Sequence, residues 1–468
     1  MSGFPLRRFG VLVALAANAC TIASPPPTLT PPPMAAGPLA SSPKAALEEV
    51  PGDWWRLFDD AVLDGLVKAS LTANADLRVA YANLDGARAA LRQARAVRLP
   101  QPVIESSAGI DNPSGQPSAA SVSASDYDVA ATVSWDIDLF GRLRSGALAA
   151  RADAEAQAAA LDALRVAVAA DTVLAYVDLC GATQGITVTG DIIAAQDRNL
   201  RTVQEQFQAG ELSPLEVSQA ANLLASSRAM LAPLEAARAN ALYRLATLQG
   251  RTPAEARTWR IDCAKPPRLT RSAPVGDGAA LLLRRPDIRE AERKLAAAAA
   301  RIGVARADLY PRVNLGGALG LLPGAFSATA SPLISWSFPN QAPARARIAQ
   351  ARATEQAALA GWDGVVLRAL REVETALAAN DTEARRNAAL SSAVEQSTLY
   401  ARRAAARVRI GDAAALLLID AERTRATAAL QLAQSDLAVA QAQVALFRAL
   451  GGGWQGASQP LAPVAASR

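Results

Sequence analysis

The side chains that most often carry chemistry are sparse in this chain. None of its 468 residues is histidine, which removes the usual general base and the commonest metal ligand. The three cysteines, Cys20, Cys180 and Cys263, lack the paired spacing of a metal site. Neither a phosphate-binding loop nor a serine–histidine arrangement can be found. The sequence therefore predicts no enzyme, no cofactor and no metal ion.

Three aspartates, Asp128, Asp136 and Asp138, are the best candidates for catalytic acids. They fall on one face of a predicted strand, because apolar and polar residues alternate strictly over residues 127–139. An apolar row facing lipid opposite a polar row facing water is typical of a transmembrane β-barrel. We therefore interpret the three aspartates as lining a lumen. The alternative, a half-buried strand of a soluble sandwich, fits poorly because this strand exceeds the usual length.

The elements that must position these residues occur twice. Pro286 begins a helix with Asp287 in its first turn, and a strand with period-2 alternation follows from Val313. Three pairs of matching landmarks are separated by 201 residues: Trp135 and Trp336, Gly210 and Gly411, Gly250 and Gly451. Pro100 and Pro311 are separated by 211, so about ten extra residues lie between Pro100 and Trp135. The sequence thus predicts an internal two-fold repeat.

The repeat sets the expected domain boundaries. The first repeat spans 51–250, with strands near 102–110 and 126–139, and the second spans 281–454, with strands near 313–322 and 332–338. Residues 251–280 form a linker at the middle level, and 455–468 form a tail. Residues 1–19 have the Arg7-Arg8 pair and short apolar run of a signal peptide. Residues 20–50 follow as a proline-rich tether.

Long helices are predicted between the strands. Residues 344–410 contain no proline and would span about 100 Å as one helix. From Leu416 to Phe447 apolar residues step by three and four, which predicts a coiled-coil seam interrupted at Arg423. Gly210 and Gly411 end the preceding helices. Ser213 and Glu216 have the spacing of a capping box, and Asp412 could cap the other helix.

Four strands are too few to close a barrel in a membrane, where open sheet edges are not tolerated. The chain must therefore oligomerise, as a dimer with eight strands or a trimer with twelve. The strand pattern leaves this choice open. The net charge is only +5, and basic and acidic residues are mixed without a basic stripe, so nucleic-acid binding is not expected.

Several separate motifs resemble one known family. LLRRPDIREAERKLAAAAARIGVARADLYPRV, the opening WWRLFDDAVLDGLVKASLTANADLRVAYANLDGARA and the closing LFRALGGGW are similar to the NodT-like lipoproteins among the TolC-type outer-membrane efflux channels. The resemblance runs from about Cys20 to Trp454.

The resemblance implies a mainly α protein with a membrane β-barrel. Three chains would build a twelve-stranded barrel, and long antiparallel coiled-coil helices would form a periplasmic α-barrel. The implied function is the exit duct of a tripartite efflux pump, served by a periplasmic adaptor and an RND-type inner-membrane pump. The alternatives are a coiled-coil lipoprotein without a pore, a type I secretion duct of the same fold and a periplasmic enzyme.

The resemblance also assigns roles to single residues. Cys20 follows a sequence resembling a lipobox, which implies lipid attachment and an anchor in the outer membrane. In the family, acidic side chains at the helical hairpin tips close the periplasmic end. Alignment with that pattern puts Ala413 at the usual aspartate position, one residue after Asp412. Asp412 is therefore a candidate gate residue, with a role as helix cap as the alternative.

If Cys20 carries lipid, two thiols remain in an oxidising compartment. Cys180 lies within a predicted long helix, and Cys263 lies in the linker between the repeats. We expect these two cysteines to form a disulfide. The alternative is two buried free thiols, because cysteine is often simply buried.

Overall fold

The computed structural model of the chain describes residues 51–109, 126–269, 284–322 and 325–452. The side chains of 107–109, 126–129, 321–322 and 325 are outside this description. The predicted signal peptide, Cys20, the tether and the tail also lie outside the described residues.

The first half of the chain is largely helical. A 3₁₀ helix at Trp54–Phe58 precedes α1 (Ala61–Ala73) and α2 (Ala75–Ala96). The strands β1 (Gln101–Gly109) and β2 (Asp126–Ile137) follow. The helices α3 (Arg142–Gln208), α4 (Pro214–Ala229), α5 (Leu231–Leu248) and the short α6 (Pro253–Ala256) complete this half.

The second half has the same order of helix, two strands, long helix and helix. It consists of α7 (Pro286–Ala307), β3 (Arg312–Leu322), β4 (Ala325–Ser335), α8 (Ala342–Arg409) and α9 (Ala415–Ala449). The predicted proline-free helix over 344–410 corresponds closely to α8. None of the described helices combines the length and apolar character needed to cross a membrane.

The bounds of two strands differ from the prediction. The fourth strand was expected at 332–338, but β4 begins at Ala325 and ends at Ser335. Its first residues pair with β3, although Ser327, Ala328 and Thr329 give little apolar alternation to indicate a strand. β2 ends at Ile137, so Asp138 lies beyond the strand on which it was expected.

The four strands form one antiparallel sheet in the order β1-β2-β3-β4. Gln101 lies opposite Ser134, Ile137 opposite Val313, and Arg312 opposite Ser335. These pairs put all four strand–helix junctions, with α2, α3, α7 and α8, at the same end of the sheet. Among the described residues, β1 and β4 each pair on one side only.

The described chain divides into two compact units. One unit contains the sheet and comprises the described residues within 82–159 and 289–364. The other is helical and comprises those within 51–81, 160–288 and 365–452.

The helical unit has an extended core in which Trp54 stacks on Phe447 with ring centroids 4.8 Å apart. This contact joins the 3₁₀ helix near the start of the described chain to the last turns of α9. The predicted seam of α9 is largely buried, at Ile419, Ala426, Ala433, Ala440, Val444 and Phe447. Leu416 is an exception, with 54% of its surface exposed.

Candidate functional site

The three predicted lumen-lining aspartates do not form one cluster with equivalent surroundings. Asp136 pairs with Arg142 at the start of α3. The carboxylate of Asp138 accepts hydrogen bonds from the backbone N–H groups of Leu143 (2.9 Å) and Arg144 (2.7 Å). Asp138 therefore satisfies two otherwise unpaired donors in the first turn of α3, which corrects its assignment to the strand face. The side chain of Asp128 is outside the described residues.

The polar face of the sheet carries a cross-strand contact. The amide nitrogen of Asn314 donates to Ser134 Oγ at 3.0 Å, joining β3 to β2. Large apolar side chains are exposed on the sheet, and the most exposed is Ile104 at 79%. The sheet thus presents exposed apolar side chains together with a polar cross-strand contact.

The hairpin tip between α3 and α4 has the predicted capping box. Ser213 Oγ accepts from the N–H of Leu215 at 3.2 Å, and the Glu216 carboxylate accepts from the N–H of Ser213 at 3.0 Å. Pro214 occupies the first helical position. Hydrogen bonding to Ser213 lowers the pKa of Glu216, so this carboxylate remains ionised as the box requires.

The tip between α8 and α9 differs from the prediction. α9 begins at Ala415, and its N-cap residue, Ala414, provides no side-chain hydrogen bond. Asp412 lies too far before the helix to cap it. Its carboxylate instead accepts a hydrogen bond from Arg407 Nε at 2.8 Å, and both side chains are exposed. The gate role of Asp412 remains a prediction.

The linker between the halves is attached to α3 through one cysteine in each segment. Cys180 and Cys263 are joined in the structure as a disulfide, with Cα atoms 5.2 Å apart. Cys180 is fully buried. Trp259, Ile261 and Leu269 of the linker pack against the same core. The described part of the linker, residues 251–269, is therefore part of the folded helical unit.

Asp436 of α9 is a polar centre that sequence reasoning missed. Its carboxylate accepts from Gln184 of α3 (2.8 Å) and Asn387 of α8 (2.7 Å), and it pairs with Arg268 of the linker. Four separate segments thus meet at one half-buried carboxylate. The partners are 49 to 252 residues away from Asp436, so no local sequence pattern could indicate them.

A second buried polar contact lies one turn of α3 before the disulfide. The Tyr176 hydroxyl donates to Asp60 Oδ2 at 2.7 Å, and the other carboxylate oxygen of Asp60 caps α1. Burial, together with the hydrogen bond to Asp60, raises the pKa of Tyr176. The phenol therefore stays protonated and acts as a fixed donor.

Like its neighbour Arg284, Arg285 of the RRPD motif is buried, and it is a centre of ionic contacts. Its guanidinium donates to Asp287 (2.7 Å), to Glu372 of α8 (2.8 Å) and to the carbonyl oxygen of Ala449 (2.8 Å). Burial lowers its pKa, but the two carboxylates more than compensate, and the net shift is upward. The motif thus connects the start of α7, the middle of α8 and the end of α9.

Comparisons with known proteins agree with this architecture. The outer membrane efflux protein family matches residues 66–251 and 279–452. Outer membrane protein OprJ of Pseudomonas aeruginosa is 32% identical, over 95% of this chain and 96% of its own. The solvent efflux pump outer membrane protein SrpC of Pseudomonas putida is 31% identical, over 85% of this chain and 86% of its own.

The solved structure of the outer-membrane channel OprN is also similar. It superposes with a TM-score of 0.85 at 35% identity, covering 92% of this chain and all of that one. These relatives are efflux components and channels rather than enzymes, and they are proteins of the outer membrane. The mainly helical fold, the single four-stranded sheet and the match over both halves lead to one conclusion: the chain belongs to the outer membrane efflux protein family.

Proposed function

We propose that the chain is the passive exit duct of a tripartite efflux pump, and that three copies close one twelve-stranded barrel in the outer membrane. The observation that carries the proposal is the single antiparallel sheet, in which β1 and β4 pair on one side only among the described residues. A sheet edge in lipid leaves backbone N–H and C=O groups without partners, which costs several kcal/mol for each group. Other copies of the chain are the simplest source of those partners.

The exposed faces of the sheet support a position in the bilayer. Ile104, Leu319 and Ile334, which share one face of the sheet, are largely exposed in the single chain. In water such apolar area is costly, at about 25 cal/mol per Å². In lipid it faces a matching solvent, and the polar row with Ser134, Asp136 and Asn314 lines the lumen. The choice of three chains rests on the family.

The rest of the molecule takes its role from the same proposal. The two halves of the chain are an internal repeat. Their long helices form the periplasmic tunnel, with the linker at its middle level. Cys20 carries lipid that anchors the chain in the outer membrane.

The partners are a periplasmic adaptor and an RND-type inner-membrane pump. OprJ and SrpC support this, because SrpC is named as part of a solvent efflux pump and OprJ as an outer membrane protein. The duct itself supplies no energy, so the pump selects the cargo. Apolar small molecules are the first class to test, since solvents are named for SrpC.

The test combines native mass spectrometry with planar-bilayer recording of the full-length protein. We expect an assembly of about three times the 48.5 kDa chain mass, and stepwise ion conductance. A matched pair of variants tests the sheet. Leu319→Arg puts charge on the exposed apolar face, which costs about 2–4 kcal/mol at the bilayer midplane and should abolish insertion.

Ala318→Arg, one residue earlier on the opposite face, should insert and change the conductance. A monomer or dimer would contradict the trimer. A trimer that inserts without conducting would identify a structural lipoprotein instead. Equal insertion of both variants would contradict the assigned faces of β3.

A further inference from the structure

Two tryptophans occupy matching positions where the sheet meets the helices. The indole N–H of Trp135 donates to the carbonyl oxygen of Arg98 at 3.1 Å. That of Trp336 donates to the carbonyl oxygen of Leu309 at 3.0 Å. Each acceptor lies in the corner between a helix and the following strand. The hydrogen bonds therefore fix both rings at the same end of the sheet while leaving them partly exposed.

Further aromatic side chains lie at this end. Trp336 stacks on Phe338 with ring centroids 4.7 Å apart, and these side chains are 50% and 65% exposed. Phe140, just after β2, stacks on Tyr310, just before β3, at 4.6 Å. The junction thus carries a group of partly exposed aromatic side chains, whose apolar surface would be unfavourable in contact with water alone.

The same junction is rich in arginine. Residues 95–101, 134–147, 304–313 and 334–349 contain eight arginines but only three acidic residues: Arg95, Arg98, Arg142, Arg144, Arg306, Arg312, Arg345 and Arg347 against Asp136, Asp138 and Asp308. Each acidic side chain is already engaged. Asp136 pairs with Arg142, Asp138 accepts from the backbone of α3, and Asp308 pairs with both Arg312 and Arg347.

Four exposed arginines remain without an acidic partner among the described residues: Arg95, in the last turn of α2, and Arg98, Arg144 and Arg345. Arg144 and Arg345 each follow the junction tryptophan of their own half by nine residues. Arg98 is the residue whose carbonyl oxygen holds Trp135. We call Arg98, Arg144, Arg345, Trp135 and Trp336 the collar.

We propose that the collar binds the phosphate groups of anionic phospholipids at the periplasmic surface of the outer membrane. A guanidinium presents a planar fork of donors that fits phosphate oxygens, and its charge is not titrated under any ordinary condition. Tryptophan prefers the headgroup level of a bilayer, because its ring is apolar and its N–H is polar. Fixed rings at the same end of the sheet as uncompensated arginines fit a lipid headgroup better than an acidic protein surface.

This inference rests on the proposed barrel, because it needs the sheet to lie in the bilayer. The collar would then determine how deep the barrel sits and which lipids surround its periplasmic rim. Three chains would supply six tryptophans and nine such arginines around the rim.

The experiment compares the wild-type protein with the triple variant Arg98→Gln, Arg144→Gln, Arg345→Gln. Phospholipids retained by the protein are counted by native mass spectrometry after exchange into mixed phosphatidylglycerol and phosphatidylcholine. We expect a preference for phosphatidylglycerol in the wild type. The preference should fall about fivefold for each arginine removed, since one basic residue near an anionic surface contributes ~1 kcal/mol.

The control removes three other arginines from α8: Arg402→Gln, Arg403→Gln, Arg409→Gln. These are also exposed and have no acidic partner among the described residues, but they lie outside the unit that contains the sheet. The control should keep the wild-type preference. Melting temperatures in detergent check that both variants fold, and the single Arg345→Gln variant provides a milder test.

Several outcomes would overturn the collar. The triple variant could retain phosphatidylglycerol as well as the control does. Inorganic phosphate at millimolar concentration could displace the lipid completely, which would identify a free-anion site. Binding of an acidic peptide without lipid would identify a protein partner. Conductance in planar bilayers separates the two proposals. If the triple variant conducts ions and its lipid preference is unchanged, the collar proposal is contradicted and the duct proposal stands.

Discussion

At Gly250, directly after α5, the backbone adopts a left-handed conformation and passes close to the end of α1. Its φ angle is +66°, and a Cβ atom there would lie 2.7 Å from the carbonyl oxygen of Ala73. The amide of Asn74 donates to the carbonyl oxygen of Leu248 at 3.0 Å in the same corner. Gly210, after α3, also has a positive φ angle of +79°, but nothing lies within 4 Å of the added atom.

The two glycines therefore predict different costs for the same substitution. Gly210→Ala should lower the free energy of unfolding by about 1–2 kcal/mol, the cost of the left-handed conformation alone. Gly250→Ala should cost about 1–3 kcal/mol more, because the methyl group meets a backbone oxygen that cannot rotate away. Thermal unfolding followed by circular dichroism measures both variants. Equal shifts in melting temperature would show that the corner relaxes.

For single residues, the sequence predicts those contacts that depend only on neighbouring residues. The capping box of Ser213 and Glu216 is confirmed, because its hydrogen bonds join residues three apart at a fixed helix start. The cap assigned to Asp412 is wrong, because it depended on where α9 begins. Alanines at 413–415 leave that start without a local signal, and the structure begins the helix at Ala415.

Among the elements, the described part of the linker is attached to three helices. Residues 259–269 contact α3 through the disulfide, α8 and α9 through Arg268, and α9 again through the N–H of Leu269, which donates to Gln443 at 3.3 Å. A segment with little secondary structure is thereby held across three helices. Covalent attachment at one end and charge pairing at the other restrict the movement of α8 and α9 relative to α3.

The disulfide should contribute strongly to stability. It closes a loop with a sequence separation of 83, for which the chain-entropy relation gives about 4–5 kcal/mol as an upper value. We expect Cys180→Ala to lower the free energy of unfolding by about 2–4 kcal/mol.

Cys263→Ala should have the same effect as Cys180→Ala, and the double variant should lose no more than either single one. Reductant should destabilise the wild type but none of the variants. Additive losses, or a wild type insensitive to reductant, would instead indicate two buried thiols without a bond.

The elements that could be predicted are those with a clear pattern in the sequence. α8 follows from a long stretch without proline, and β2 follows from strict alternation. β4 was misplaced because its first half, apart from Phe326, consists of small residues, and only pairing with β3 reveals it. The particular partners of Asp436 and Arg285 could not be predicted, because each depends on helices brought together from distant parts of the chain.

For the whole molecule, the sequence indicated membership in the efflux family through the order and spacing of its motifs. It also indicated that one chain cannot complete its own sheet. The contacts of the α8–α9 tip could not be predicted from the sequence, because they depend on how the residues before α9 fold back. There, Arg407 and Asp412 form an exposed ion pair.

This pair leads to a prediction about the proposed duct. If three tips surround the axis, each Asp412 carboxylate stands beside the guanidinium of its own Arg407, and the ring is nearly neutral. Removing one partner should therefore leave three uncompensated charges near the path of the ions. Two unit charges at 4 Å interact by only about 1 kcal/mol in water, so we expect changes of about two- to fivefold in ion selectivity.

Asp412→Asn should lower the cation-to-anion permeability ratio in planar bilayers, because Arg407 is left unpaired. Arg407→Gln should raise the ratio, because the carboxylate then acts alone. The double variant should return close to the wild-type value, since both charges are absent. Asp381→Asn is the matched control, as it breaks an equally exposed pair with Arg385 on α8 (2.8 Å) and should leave selectivity unchanged. Opposite shifts for the two tip variants are specific to a charged ring at the pore. If the wild type, the two single tip variants and the double variant all had the same permeability ratio, Asp412 would lie away from the ion path, and the gate role would be excluded.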